Sequence, residues 1–400
     1  MPRFAAGDYN GVPMQTRVAV VRCHDYEERG LKEAVARSLD LVGGAAAALG
    51  SGRKVFVKIN HLSPGSPPEG AINTHPLFAK PVLELLRDLG ADVTVGDDIR
   101  PGAAAGGFEV SGYAAICRTA GVRLLNLKTA GFREVPCPGG EVLGSVHVSN
   151  AVLEADAVLD LPKLKTHSFT AFTGAVKNMF GIIPCGSRLD FHNRFRGSEA
   201  FSRMLVDVFA CAPPRLTLMD AVVAMEGAGP SGGSPRRVGL VLASRDAVAV
   251  DAVAGEIAGF GPGDVATTSE AARRGLGTAD LKEIEIAGEG LSDVRVKRFR
   301  KAALPVGLLK RRLPAFLYAY ISGELILSPE VIQAACTGCG ECLDVCPARA
   351  VVMEDERARI LKEPCIGCLC CHEVCRAAAI RLRQRPIGRA SRFIASLFRI

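Results

Sequence analysis

Cys336-Thr-Gly-Cys339-Gly-Glu-Cys342-Leu-Asp-Val-Cys346-Pro347, followed by Cys365-Ile-Gly-Cys368-Leu-Cys370-Cys371-His-Glu-Val-Cys375, decides the architecture of the last quarter of this 400-residue chain. Each run contains Cys-x2-Cys-x2-Cys-x3-Cys, and the second begins 29 residues after the first. Three thiolates at this spacing wrap one cubane cluster, while the fourth points away and ligates the other. The pattern assigns Cys336, Cys339, Cys342 and Cys375 to one 4Fe-4S cluster. Cys365, Cys368, Cys371 and Cys346 hold a second. Structural zinc also uses Cys-x2-Cys pairs, but it needs two pairs per ion and has no use for the third cysteine. Cys370, the ninth cysteine of the segment, reads as a bystander thiol.

The doubled pattern resembles the bacterial two-cluster ferredoxin, including Pro347 after the first run. Arg376 stands where the second run would carry its proline. The resemblance implies a small α+β ferredoxin-like domain over residues 331–383.

Over the whole chain, 48% hydrophobic and 23% charged residues describe a soluble globular protein with room for two or three domains. Cys23, Cys117, Cys137, Cys185 and Cys211 are scattered singly in apolar surroundings, as core thiols are in a reducing compartment. The N-terminus lacks the apolar core of a secretory signal, and no uncharged run reaches the roughly 18 residues of a spanning helix. A cytoplasmic protein, or one peripheral to a membrane, is expected. The net charge of +7 is unevenly placed: residues 295–323 hold eight Lys or Arg and no acid, and residues 376–400 hold seven Arg and no acid. The rest is therefore net acidic, and base-stacking aromatics are scarce, which argues against nucleic acid. Cationic segments beside anionic clusters suit an acidic redox partner, an electron-donor protein.

Along the chain, short apolar strands alternate with helices, which argues for an α/β fold with a mainly parallel sheet and flanking helices. Strands are expected at 16–22, 53–60, 91–98, 122–127, 215–220 and 237–244, and helices at 28–42, 76–88, 111–121 and 198–211. Residues 132–148 read as a small β excursion, and 156–167 as a buried strand running into a polar turn. A helical stretch over 170–181 and a Gly/Arg-rich loop to about 197 follow. No GxGxxG follows the first strand, which argues against a dinucleotide site.

Four of the strands end in polar clusters: Lys58 and Asn60; Asp97 and Asp98; Lys163, Lys165 and His167; and Asp220, with Glu226 further on. In an open parallel sheet, ligands bind beyond the carboxyl ends of the strands, so these clusters should share one rim. Lys163, Lys165 and Lys177 converging there would favour a small anionic substrate, a carboxylate or phosphate. Lys58, Asn60 and Asn178 complete the expected binding set, and His167, Asp97 and Asp220 are the candidate proton donors. A divalent metal held by Asp97, Asp98, Asp220, His75 and His192 is the alternative. Asp246 reads as a helix cap and Asp251 as structural.

Residues 295–330 form a basic, apolar connector broken by Pro305 and Pro314. In the tail of 384–400, Ile387, Ala390, Phe393, Ile394, Leu397 and Phe398 fall at helical spacing with arginines elsewhere on the wheel. That profile suits an interfacial helix in contact with a membrane surface, or one packed back on its own protein.

Through Asp160-Leu-Pro-Lys163-Leu-Lys165-Thr-His167 and Gly174-Ala-Val-Lys177-Asn178-Met-Phe-Gly181, the chain resembles the domain-of-unknown-function 362 family. The likeness continues at Val57-Lys58-Ile-Asn60, Asn73-Thr74-His75-Pro76, Val95-Gly96-Asp97, Met225-Glu-Gly-Ala-Gly229-Pro230 and Asp246 to Asp251, within residues 50–290 of a 1–294 domain. It implies an iron–sulfur-associated α/β protein. After Gly181 the chain departs from the family pattern, with Arg188, His192 and an intruding Cys185. The expected function is a ferredoxin-dependent reductase of a small anionic metabolite. A non-catalytic electron-transfer or assembly protein that docks a redox partner is the competing expectation.

Overall fold

The computed structural model describes residues 16–99, 107–302 and 328–383. The amphipathic tail and most of the basic connector lie outside the described residues. Strand β1 (Thr16–Arg22) opens the sheet, and β2 (Lys54–Ile59), β3 (Asp92–Asp97) and β4 (Arg123–Asn126) follow. Helices Glu28–Leu41, Pro76–Asp88 and Tyr113–Ala120 precede the last three of these in turn. The hairpin β5 (Phe132–Pro136) and β6 (Ser145–Ser149) pairs only with itself. The large sheet is completed by β7 (Ala157–Leu161), β8 (Lys163–His167), β9 (Ala171–Thr173), β10 (Leu216–Glu226), β11 (Ser234–Ser244) and β12 (Ile284–Gly288).

Its order is β12-β1-β11-β10-β7-β2-β3-β4, with β8 alongside β10 and β9 alongside β8. From β10 through β7, β2 and β3 to β4 every pairing is parallel, while β11 is antiparallel to both its neighbours. Alternation along the strands builds three layers. Val55 and Val57 join the core under helices Glu28–Leu41 and Pro76–Asp88, while Phe56 faces the opposite side, with helix Ser198–Cys211. Val18 and Val20 likewise pack away from Ala19 and Val21, in a third core that includes Val250 and Val253 of helix Ala247–Ile257. The expected α/β class with a mainly parallel sheet is what the chain adopts.

Three local expectations are corrected. Residues 163–167 are a strand and not a turn: at Pro162 the chain leaves β2 and pairs with the outer half of β10, Lys163 opposite Asp220 and Lys165 opposite Met225. The expected helix over 170–181 is strand β9, then a short helix Ala175–Asn178 and a 3-10 turn. The expected loop contains helix Cys185–Arg194, whose Gly/Arg-rich sequence offers no clear apolar stripe.

The C-terminal domain is a pair of small antiparallel ladders, β13 (Ser328–Val331) with β16 (Ile380–Arg383), and β14 (Val351–Glu354) with β15 (Arg357–Ile360). Helices Glu341–Asp344 and Cys370–Val374 pack between them. It docks on the rim of the large sheet. Leu189 packs against its core, His372 Nε2 lies 3.0 Å from the Ala228 carbonyl oxygen, and the Ser231 hydroxyl donates to the Glu373 carbonyl.

Asp251 is structural, as its position in a helix implied. Its carboxylate accepts from the buried N–H groups of Ala175 (2.6 Å) and Val176 (3.0 Å), capping the helix that carries Lys177. Asp251→Ala strands two buried donors. It should cost about 2–5 kcal/mol, read as a lower urea midpoint at unchanged slope.

Candidate functional site

Because β10, β7, β2 and β3 run in one direction, their carboxyl ends meet at one rim, and burial there forces charge to pair with charge. Lys58 at the end of β2 is fully buried, and its Nζ lies 2.8 Å from Asp97 Oδ2 at the end of β3. Asp97 also accepts from the N–H groups of His61 (2.9 Å) and Asp98 (2.8 Å), so each of these contacts is with a donor. Gly181 crosses directly above: a Cβ there would collide with Asp97 and lie 2.7 Å from Lys58 Nζ. Arg188 donates to Asp98 Oδ2 at 2.6 Å.

Lys163 and Asp220 form a second pair at 2.7 Å with no exposure of either side chain. Tyr26 donates to Asp220 at 2.9 Å, and the His75 N–H donates at 3.0 Å. Burial pulls the Lys163 amine below its ordinary value despite Asp220. Neither residue reaches an open surface.

Beyond Lys58 and Asp97 lies a cavity of about 110 Å³, on the seam between the two domains. Six of the nine expected site residues line it: Lys58, Asn60, Asp97, Lys165, Lys177 and Asn178. Lys163, His167 and Asp220 do not. The opposite wall comes from the iron–sulfur domain, through Val345, Cys370, Glu373 and Val374. Arg188, His192, His61 and Cys370 also line it, and none was in the expected set. The departure from the family pattern after Gly181 was a signal for Arg188 and His192. Glu373, lying between two cluster-type cysteines, offered none.

Lys165 Nζ donates to Asn60 Oδ1 (2.8 Å) and to the Ile72 carbonyl (2.7 Å). Burial, reinforced by nearby Lys177, holds its amine well below the usual lysine range. Lys177 is lowered too, by burial first. Among the described residues neither lysine has a carboxylate in direct contact.

His167 sits behind this wall. Its Nδ1 accepts from the N–H groups of Phe169 (3.1 Å) and Thr170 (3.3 Å), which places the ring proton on Nε2. Nε2 is 3.1 Å from Glu373 Oε1, but the approach is off-axis and neither atom completes a hydrogen bond. Burial pushes His167 down to about 4. Burial alone would raise Glu373, but His167, Lys177 and His192 around it hold its carboxyl well below the usual range. The two tendencies together do not describe a charged His167. With Nδ1 occupied as an acceptor, the imidazole is neutral, and Lys177 supplies the positive charge that Glu373 faces.

The divalent-metal alternative does not survive. Asp97, Asp98 and Asp220 are each committed to a cation, and His75 stacks on Tyr26 with ring centroids 3.7 Å apart. Among the described residues no three His, Cys, Asp or Glu side chains converge closely enough to grip a single ion.

In the iron–sulfur domain, Cys336, Cys339, Cys342 and Cys375 ring a small cavity of about 20 Å³. Cys371 has Cys368, Cys365, Cys346 and, last, Cys342 as electrostatic neighbours. Backbone N–H groups of Ala350 and Ala379 point at Cys346 Sγ (3.1 Å) and Cys375 Sγ (3.2 Å), as donors to thiolates do. The donor set fits iron–sulfur ligation. No helix among the described residues is long and apolar enough to cross a membrane.

Two measurements check this electrostatic reading. Lys163→Met leaves a buried carboxylate without its counter-ion and should lower stability by about 3–5 kcal/mol, with much of the loss recovered when Asp220→Leu is added. Burial pushes His192 down to about 4, so it resists a proton that the unfolded chain accepts at about 6.5. Its contribution is complete above about pH 6.5 and is lost as pH falls toward 4. Urea titrations at several pH values should therefore show His192→Gln losing less stability than wild type, by about 1.4 kcal/mol per pH unit in that window.

Residues 328–376 match a 4Fe-4S dicluster domain, and residues 55–256 match a domain of unknown function, DUF362. A thylakoid-associated protein of Synechocystis is 29% identical over 264 residues, covering 66% of this chain and 81% of its own length. The lactate racemase apoprotein from Thermoanaerobacterium thermosaccharolyticum aligns with a TM-score of 0.37 at 13% identity, over 59% of this chain and 56% of that one. A protein from Thermotoga maritima gives 0.34 at 15% identity, over 57% of each chain. The DUF362 match takes in half of the sequence, and by it the chain belongs to that family, with an iron–sulfur domain at its C-terminal side.

Proposed function

We propose that this protein is an iron–sulfur reductase that delivers electrons to a small anionic substrate held in the cavity on the domain seam. The observation that carries this reading is the cavity's composite wall. One side is the carboxyl rim of the sheet. The other is helix Cys370–Val374, which carries the cluster-type thiol Cys371 and presents Cys370, Glu373 and Val374 to the same space. Two 4Fe-4S clusters, on Cys336, Cys339, Cys342 and Cys375 and on Cys365, Cys368, Cys371 and Cys346, are the reading that the spacing supports. When bound they supply electrons singly, received from an electron-donor protein.

The chain's own groups do the rest. Lys177 is the wall cation least committed to a carboxylate, and with Arg188 it attracts and orients an anion. Phe180, Leu189 and Val374 give the cavity apolar faces that limit water. His61 and His192 line it as neutral imidazoles, each with an Nδ1 that has no partner among the described residues and can hydrogen-bond a bound substrate. Asp97 and Asp220 hold lysines and His167 faces Glu373, which makes these three positioning groups in this scheme. The thylakoid association of the Synechocystis relative favours a membrane-surface location for this protein, with the tail of 384–400 as the contact.

The test compares cells lacking the protein with cells rescued by wild type, Lys177→Ala or Cys371→Ser, using untargeted mass spectrometry. A reductase leaves one compound accumulated, and its two-electron-reduced partner missing, in the null strain and with Cys371→Ser. Purified Lys177→Ala should then show a KM raised about tenfold to a hundredfold, the loss of one charge-assisted contact. If Lys177→Ala has wild-type kinetics and restores the normal profile while Cys371→Ser does not, the cavity is not the reaction site. The carrier function would then replace the enzymatic one.

A further inference from the structure

A second property of the cavity concerns the chemistry of Lys165. Its amine is almost entirely buried (1% exposed), yet it lines the cavity. Its two acceptors are neutral: the Asn60 side-chain oxygen at 2.8 Å and the Ile72 carbonyl at 2.7 Å. Asn60 is set with its oxygen toward Lys165 and its nitrogen toward Asn178. Its amide nitrogen donates to Asn178 Oδ1 at 3.0 Å, and Asn178 in turn donates to Asp160 Oδ1 at 2.6 Å. Set this way, the chain of amides presents an oxygen to Lys165.

A free amine has two N–H groups and one lone pair. Asn60 and Ile72 take both N–H groups, so the remaining tetrahedral direction belongs to the lone pair. An ammonium in the same place would carry a third N–H and a full charge with no carboxylate in contact among the described residues, at the cost of burying an uncompensated ion. Lys177, a second cation on the same wall, makes that worse, and burial beside another cationic group is how lysine nucleophiles are activated. Burial accordingly holds the Lys165 amine well below the usual lysine range.

We infer that Lys165 is a covalent nucleophile, whose neutral amine condenses with the carbonyl carbon of a substrate that also bears an anionic group. This rests on the cavity being a substrate site, as proposed above, and names the substrate class as oxo acids and related carbonyl anions. The nitrogen lone pair forms the C–N bond as the C=O π pair moves to oxygen. Both amine protons leave with that oxygen as water, giving an imine with no change in oxidation state. One further proton from solvent makes it an iminium. Lys177 and Arg188 stand on the same wall to receive the anionic group. The condensation also constrains the reduction. Two electrons placed on the C=N bond itself would leave Lys165 permanently alkylated, so in a turning-over enzyme the reducible bond is conjugated to the iminium, and hydrolysis then frees the lysine.

The test uses the full-length, cluster-loaded protein with pyruvate as probe and cyanoborohydride as trap, anaerobically at pH 7, read by peptide mass spectrometry. An ordinary lysine is free base to only about one part in two thousand at this pH. Lys165 should therefore be labelled at least about a hundredfold more than exposed Lys32 and Lys282 in the same sample. In Lys165→Arg the adduct should vanish while Lys32 and Lys282 label as before. The inference is overturned if Lys165 in the wild type labels no faster than those two, a comparison that needs no variant to fold. Trapping also separates this claim from the reductase reading, because it consumes no electrons from the iron–sulfur domain. Selective labelling of Lys165 in a protein with no reductase activity upholds the nucleophile and removes the reductase. Reductase activity that persists in Lys165→Arg removes the nucleophile alone.

Discussion

Lysine cannot be placed inside a protein without an answer to its charge, and the carboxyl rim of this sheet is built from such answers. Lys58 is set against Asp97 at 2.8 Å, Lys163 against Asp220 at 2.7 Å and Arg188 against Asp98 at 2.6 Å. Each pair joins residues far apart in sequence, so each ties together strands or helices that would otherwise expose bare polar ends. Replacing such a pair with apolar groups is often harmless to stability, whereas removing one member is not. Their value therefore lies in geometry. They hold the ends of β2, β3, β8 and β10 in one register, and they leave an ordered polar floor. Gly181 belongs to the same constraint, since no side chain fits where its backbone crosses the Lys58–Asp97 pair.

That floor becomes a site because a second domain closes it. The iron–sulfur domain brings helix Cys370–Val374 to the rim through Ser231, Ala228 and Leu189. Glu373 then stands in front of His167, Lys177 and His192, and its carboxylate faces the positive charge of Lys177. The same placement explains His167. Two backbone donors occupy its Nδ1, so the ring is a fixed neutral strut facing Glu373. Lys165 is the complement of the paired lysines. Given neutral acceptors in place of a carboxylate, it keeps a lone pair.

Much of this was legible in the sequence, for reasons of range. The cysteine spacing is local, and thiolates two and three residues apart mark an iron–sulfur domain without help from the fold. Strand and helix alternation is also local, and helices Pro76–Asp88 and Ser198–Cys211 fall where their periodicity puts them. The shared rim follows from one more step, since parallel strands bring their carboxyl ends together, and six of nine expected residues do line one cavity. Where local signals competed, the reading failed. The polar segment after Pro162 looked like a turn because lysines and a histidine seldom fill a buried strand. It is a strand because Asp220, Asn60 and the Ile72 carbonyl wait for those lysines inside.

By itself, then, the sequence determined the presence of an iron–sulfur domain, the α/β class and the polar residues that gather at the strand ends, all of which depend on spacing or direction along the chain. Only the tertiary structure decided which of those residues remain open to chemistry. Lys163 and Lys165 are two positions apart with similar local surroundings, yet one is sealed against a carboxylate 57 residues away and the other borders the cavity. The physical reason is that the state of a buried charge is set by its nearest counter-charge, and in a crossed parallel sheet that neighbour is supplied by a distant strand.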